Sequence, residues 1–250
     1  MLKELTKKDW LALLGLPESR IPRFLILRGT RNLKTNYAKH RDYFTDVIEV
    51  GSPNGIFEDV LIGSYKNELV GYASVYGDAM ASEITHAFGV LGTSVVIQTG
   101  CCGALTERIL PGDIVCATKA HCGEGAAKYY QPNAQEMEAS DDLLALVSSQ
   151  MKGPVAVHQG AIWTTSALLA EGNEDIQSWS AQGYVAVDME SASTFAVAKY
   201  FGMRRLSILF AFDNPSQGDH ILLTDHEKQE RRNLGETQMI ETVFSIIRAF

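Results

Sequence analysis

Val95-Val96-Ile97-Gln98-Thr99-Gly100-Cys101-Cys102-Gly103-Ala104 is the stretch on which the fold turns. The β-branched run Ser94–Gln98 reads as a buried strand, and the glycine- and cysteine-rich segment from Thr99 to Ala104 is expected to stop it at Gly100. Outward from it, strands and helices alternate. On the N-terminal side lie a short helix over 6–14, with Thr6 and Asp9 spaced as a capping box, and an apolar strand over 23–27 that breaks at Gly29. A hairpin over 60–65 and 69–76 and a helix over 79–90 follow. On the C-terminal side come strands at 113–118, 156–163, 186–188 and 206–212, and helices at 141–150, 175–182, 191–201 and 225–249, with Ser140 as N-cap of the first of these. Such alternation predicts an α/β layer fold, with ligands where strands end and loops begin. Three strand ends carry polar or glycine-rich residues: Gly29-Thr30-Arg31, Gly100 to Gly103, and Asp213-Asn214. A shared pocket is the simplest reason.

The 250 residues, 46% hydrophobic and 21% charged, are enough for a sizeable core. Repeats and Pro/Gly/Ser linkers are absent, so residues 1–250 read as one domain, with 1–20 as a helical extension. The net charge of −8 argues against general nucleic-acid binding, and any anion site must be local. Neither a membrane span nor a signal peptide is legible, so the expected location is cytoplasmic. Cys101, Cys102, Cys116 and Cys122 lack paired metal-ligand spacing. They are expected as buried free thiols, with no metal and no bound cofactor.

Two acidic segments carry the chemistry. Val187-Asp188-Met189-Glu190-Ser191 sets a carboxylate pair at the start of an apolar helix, where it either caps the helix or serves a site. Leu209-Phe210-Ala211-Phe212-Asp213-Asn214 sets a lone carboxylate at the mouth of a strand, as a turn residue or as a functional acid.

Taken with Val95–Ala104 and Pro111-Gly112-Asp113-Ile114-Val115, these segments resemble the purine nucleoside and uridine phosphorylase family, which includes methylthioadenosine and S-adenosylhomocysteine nucleosidases. The resemblance runs from about residue 23 to the C-terminus. It implies a three-layer α/β/α sandwich with a mixed, partly barrel-like central sheet, and cleavage of the N-glycosidic bond of a nucleoside, most simply a purine nucleoside split by phosphate. It further implies Met189 and Glu190 on the ribose, Asp213 as general acid to the departing base, and carboxylates stabilising an oxocarbenium-like sugar. Trp163, Val187, Cys102 and Gly103 would line the base pocket, Trp163 alternatively being a core residue. Gly29, Arg31, Lys34, Gln98 and Cys101 would form the phosphate or water site. A homo-oligomer, dimer or hexamer, is implied too.

The pattern is broken at the anion site. The family's Gly-Asp-Pro loop reads Gly29-Thr30-Arg31 here, and the position of a phosphate-binding arginine is held by Gln98. Arg28, Arg31 and Lys34 either replace the missing charge or form a solvated basic face. The glutamate with which hydrolytic members activate water has no counterpart between Arg23 and Arg41. Hydrolysis by water, or ligand binding without turnover, therefore stand as alternatives. The loop Gly123–Pro132 resembles one that helps choose the base, its aromatics either stacking on a base or anchoring the loop.

Overall fold

The computed structural model describes residues 1–250. In chain order the elements are α1 (Lys7–Leu13), β1 (Phe24–Gly29), α2 (Leu33–Arg41), β2 (Thr45–Glu49), β3 (Val60–Tyr65), β4 (Glu68–Val75), α3 (Gly77–Leu91), β5 (Val95–Ala104), β6 (Ile114–Cys122), α4 (Ala127–Tyr130), β7 (Glu136–Glu138), α5 (Asp141–Gln150), β8 (Val157–Thr164), α6 (Asn173–Ala181), β9 (Ala186–Asp188), α7 (Ser191–Tyr200), β10 (Arg204–Asp213) and α8 (His226–Arg248).

One strand organises the sheet. β5 does not stop at Gly100, as the sequence suggests, but runs on to Ala104. The reason is tertiary: β10 pairs with it in parallel from Val95 to Gly103, so the glycines lie inside a ladder. Its other edge changes partner. β1 pairs with Phe24 opposite Val95 through to Arg28 opposite Thr99. Beyond the gap, β9 pairs antiparallel at Gly103 and Ala104. β5 is thus a fork. From it β1, β4, β3 and β2 extend as an open sheet, while β10, β6, β8 and β9 curl round and return to β5 as a closed ring. The sheet is mixed and partly barrel-like, as expected.

Alternation along the strands sorts side chains into layers. Phe24, Ile26, Val95, Ile97, Leu206 and Ile208 face Met239, Val243 and Ile247 of α8 and Leu143 and Val147 of α5. Leu25, Leu27 and Val96 face Ile84, Phe88 and Leu91 of α3, and Trp10 of α1 joins that layer. The N-terminal residues are therefore packed against the core, with Thr6 and Asp9 forming the expected capping box. A third cluster joins Phe195, Ala192 and Ala196 of α7 to small residues of the ring strands, among them Ala117, Ala186 and Ala211. No helix is long and apolar enough to cross a membrane.

Four elements escaped the sequence: α2, β2 and the short α4 and β7. α2 buries only His40 and has no apolar stripe to betray it. β2 is an edge strand without a buried residue. Ser140 is the N-cap residue of α5, as expected, but not through its side chain. Its hydroxyl makes no cap and accepts instead from the Arg205 N–H (3.0 Å).

Phe195 is fully buried where α7 meets the ring. Phe195→Ala should cost about 3–5 kcal/mol, read as a lower urea midpoint with an unchanged slope.

Candidate active site

The gap in the fork is where chemistry gathers. Between Thr99, the last residue paired to β1, and Gly103, the first paired to β9, one edge of β5 is open. The ends of β1 and β9 flank the opening. Past β9 the acidic pair divides its labour. Asp188 caps α7: its Oδ2 accepts the Ser191 N–H (2.8 Å) and the Glu190 N–H (3.3 Å), and its Oδ1 accepts the Thr164 hydroxyl (2.7 Å). Glu190 is thereby free of capping duty. Its Oε1 reaches across to the N–H of Gly77, the first residue of α3 (2.8 Å), where the helix dipole favours a negative charge. Gly77 has φ +83°, a backbone conformation that suits glycine.

On the other side of that carboxylate lies Gly29, where β1 ends. A Cβ there would stand 2.7 Å from Glu190 Oε2 and 3.1 Å from Gln98 Nε2. Gln98 is fully buried and locked. Its Oε1 accepts the Thr194 hydroxyl (3.1 Å) and its Nε2 donates to the Thr99 carbonyl (3.0 Å). Burial first, then the Asp188 charge, push the Glu190 carboxyl up from its ordinary range. Met189 is half-buried between the two acids.

Asp213 arrives by a bulge. Ala211 sits opposite Cys102, but Asp213 sits opposite Gly103, so β10 spends two residues where β5 spends one. Without the extra residue Asp213 would fall on the other face of the sheet. The bulge at Phe212 is clamped by Arg232, which donates to its carbonyl (2.6 Å) and lies over its ring. Asp213 then completes a row across four strands: Trp163, Val187, Gly103, Asp213. A Cβ on Gly103 would meet Asp213 Oδ1 and Val187 Cγ1, each at 3.2 Å. Burial first, then the Asp219 carboxylate, push Asp213 up to about 7.

Between the two acids lies Cys101. It is exposed, unlike the other three cysteines, which are buried, and unlike the expectation for all four. Crowding by protein atoms nevertheless pushes its thiol up to about 11, with Glu190 and Asp213 adding to the shift. A side chain that solvent reaches and protein surrounds lies on a cleft floor. Cys102, one step along the strand, turns away: its side chain is packed into the ring core with Ala104 and Leu209. It meets a base, if at all, through its backbone.

The model of the phosphorylase superfamily matches residues 25–248. The chain belongs to that superfamily. It is 24% identical over 246 residues to a DeoD-type purine nucleoside phosphorylase of Clostridium beijerinckii, covering 92% of this chain and 95% of that one. It is 31% identical over 115 residues to a guanosine phosphorylase of Halorubrum lacusprofundi, covering 46% of this chain and 48% of that one. A crystal structure of uridine phosphorylase from Vibrio fischeri superposes with a TM-score of 0.78 at 21% identity, over 92% of this chain and 94% of that one, and shares its fold. Membership makes the chain an enzyme of nucleoside glycosidic-bond cleavage.

For a member of this superfamily the cations are unusually placed. Arg28 turns to the opposite face of β1, buried, and pairs with Glu236 of α8 (2.6 Å). It does not supply the missing contact. Arg31 is exposed, lies over the Tyr76 ring just before Gly77, and has no carboxylate partner. Lys34 is exposed. Trp163 also departs from expectation. His121 stacks on one face (3.9 Å between centroids) and Trp179 on the other (5.1 Å), so neither face is open to a base and only the indole edge can meet one. In the loop over 123–132, Tyr130 is an anchor, hydrogen-bonded to His86 (3.0 Å), while Tyr129 is exposed.

Sequence reasoning did not reach Gly77. Gly77 gave no signal beyond a glycine opening a helix, and its partner lies 113 residues away. Asp188, expected either to cap the helix or to serve a site, caps it.

Gly29→Ala should fold and lose at least about tenfold in kcat/KM for nucleosides, mainly through KM, because the methyl displaces Glu190 from the Gly77 N–H. Steady-state kinetics beside a melting curve checks this.

Proposed function

We propose that the enzyme cleaves purine nucleosides by phosphorolysis, with Asp213 as the general acid. The observation that carries this reading is the bulge-aimed, buried Asp213, held up to about 7 and so keeping its proton to far higher pH than an ordinary aspartic acid. A departing purine leaves negative charge on its ring, and a proton delivered to a ring nitrogen lowers the barrier. Glu190, across the open edge of β5, is set to accept ribose hydroxyls and to favour the positive charge that develops on the sugar. The DeoD-type purine phosphorylase that matches the chain over nearly its whole length supports purine over pyrimidine. Arg31, unpaired and next to the Gly77 corner, supports an anionic acceptor.

Hydrolysis is a second reading, and one observation favours it. The groups that line the corner beside Gly29 are Gln98 and Glu190, neither of them a cation. Guanosine, inosine and adenosine assayed with and without phosphate separate the two. Phosphorolysis gives ribose 1-phosphate and a rate that rises with phosphate, and Arg31→Ala raises the KM for phosphate about tenfold or more, the worth of one charge-assisted hydrogen bond. Free ribose at a phosphate-independent rate establishes hydrolysis.

The pH dependence follows from Asp213. The working form is protonated, so kcat/KM should fall as pH rises through about 7. Asp213→Asn should lower kcat by about 10²–10⁴. Its effect on stability has the opposite sign. A carboxyl raised in the folded state contributes most at low pH, and that contribution is lost as pH rises through about 7. The Asn variant escapes the loss and should melt higher than wild type at pH 8.

A further inference from the structure

Asp213 sits between two peptide groups, and α8 grips both of them. On one side Arg232 holds the Phe212 carbonyl (2.6 Å). On the other the Asn214 N–H donates to Asp219 Oδ2 (3.3 Å), and the Asp219 N–H donates back to the Asn214 carbonyl (3.2 Å). These two bonds close a short loop that turns at Gly218, where φ is +70°. Its base is fastened by the Asn214 amide, which donates to the Thr106 and Ile109 carbonyls (3.0 and 2.9 Å). Asp219 is held in turn by Lys228, whose Nζ meets Oδ1 at 2.8 Å, with both side chains largely covered. Lys228 and Arg232 stand four residues apart on α8 and so share a face.

The ion pair is not there to cap the helix or to make the turn. Asp225 caps α8, its Oδ1 accepting the Lys228 N–H (2.8 Å). The turn is made by the Gln217 N–H on the Asn214 carbonyl (2.9 Å) and the Gly218 N–H on the Pro215 carbonyl (3.0 Å). What the pair adds is charge beside the acid. Burial works to raise the Asp219 carboxyl, but Lys228 and the Asn214 and His220 N–H groups outweigh it and keep Asp219 below the ordinary range, hence ionised at neutral pH. Asp213 faces charge or thiols from four elements. Asp219 comes from its own loop, Arg232 and Lys228 from α8, Glu171 from the loop after β8, and Cys101 and Cys102 from β5. Burial is the first cause of the raised Asp213 carboxyl and Asp219 the second, while Arg232 and Lys228 work against them.

We propose that Asp219 and Lys228 are positioning residues for the acid: Asp219 pins the peptide that follows Asp213 and strengthens its grip on the proton, and Lys228 pins Asp219 and limits that effect. This rests on the reading of Asp213 as general acid. The two members of one ion pair therefore act on the acid with opposite signs. A pair that served the fold alone would give variants that change alike, since either substitution breaks the same contact.

The test is the pH profile of kcat/KM between about pH 5 and about pH 9, on whichever of guanosine, inosine and adenosine is cleaved fastest, in wild type, Asp219→Asn, Lys228→Met and the double variant. The nucleoside's own titration is common to all four and cancels. Asp219→Asn keeps an oxygen for the Asn214 N–H but loses the charge, so the alkaline limb should move down by about half a pH unit or more. Lys228→Met leaves Asp219 unopposed, so the limb should move up, by roughly a third of a unit. The double variant should fall between the two, and Lys228→Arg, which keeps the charge, should match wild type. Limbs that stay in place, or that move the same way in both single variants, overturn the proposal and leave Asp213 as the acid. A wild-type profile without an alkaline limb overturns the acid reading itself. Should Asp219→Asn fail to fold, Lys228→Met decides alone: a limb moved up upholds the proposal, and one unmoved or moved down overturns it.

Discussion

Everything at this site depends on a strand that changes neighbours midway. β5 has β10 along one edge throughout, but on the other it trades β1 for β9 across Gly100, Cys101 and Cys102. A parallel partner that ends and an antiparallel partner that begins cannot meet without leaving a hole, and the hole opens at the strand ends, where loops deliver side chains. The closed ring follows from the same trade, because β9 returns the chain to the strand from which the open sheet leaves. The glycines are what let the trade occur. Gly29 brings backbone to within a side chain's thickness of Glu190, and Gly103 leaves room for Asp213 and Val187 on one row.

Within the hole the chain buries acids and deals with each differently. Asp188 has three donors, two of them N–H groups at the start of α7, so its charge is satisfied locally and serves the fold. Glu190 has one, the Gly77 N–H, and keeps acceptor capacity for a ligand. Asp213 has Arg232 nearby, but that guanidinium is committed to the Phe212 and Leu223 carbonyls and the Thr224 hydroxyl. A gradient from satisfied to unsatisfied runs along the cleft and separates Asp188 from Glu190 and Asp213. Residue type alone does not, since Asp188 and Glu190 are two positions apart.

That gradient explains what was legible in the sequence. Periodicity and strand-end chemistry gave the α/β alternation, the three polar strand ends and both acidic segments, because each is a local signal. The ring and the fork were not local. Nothing in Thr99–Ala104 says that β10 will hold these glycines in a ladder, and so the strand was expected to end four residues early. The resemblance places Trp163 on the base or in the core, and its freedom depends on His121 and Trp179, 42 and 16 positions away by residue number, stacking on its two faces. The bulge at Phe212 leaves no mark in composition, yet it decides which face Asp213 occupies.

Arg28 shows why charge cannot simply be moved to the anion site. Its guanidinium is buried on the α8 face, paired with Glu236, which also takes Lys39 (2.8 Å). Turning Arg28 toward the cleft would break a pair of which one member is sealed in protein, a loss on the order of 3–5 kcal/mol. One charge-assisted contact to phosphate returns about 1.5–3 kcal/mol, so the swap is unfavourable. Gln98 offers no charge in its place, since its Oε1 takes the Thr194 hydroxyl and one N–H goes to the Thr99 carbonyl, leaving one neutral N–H. The cation on the loop after β1 left without a carboxylate partner is Arg31, exposed over the Tyr76 ring.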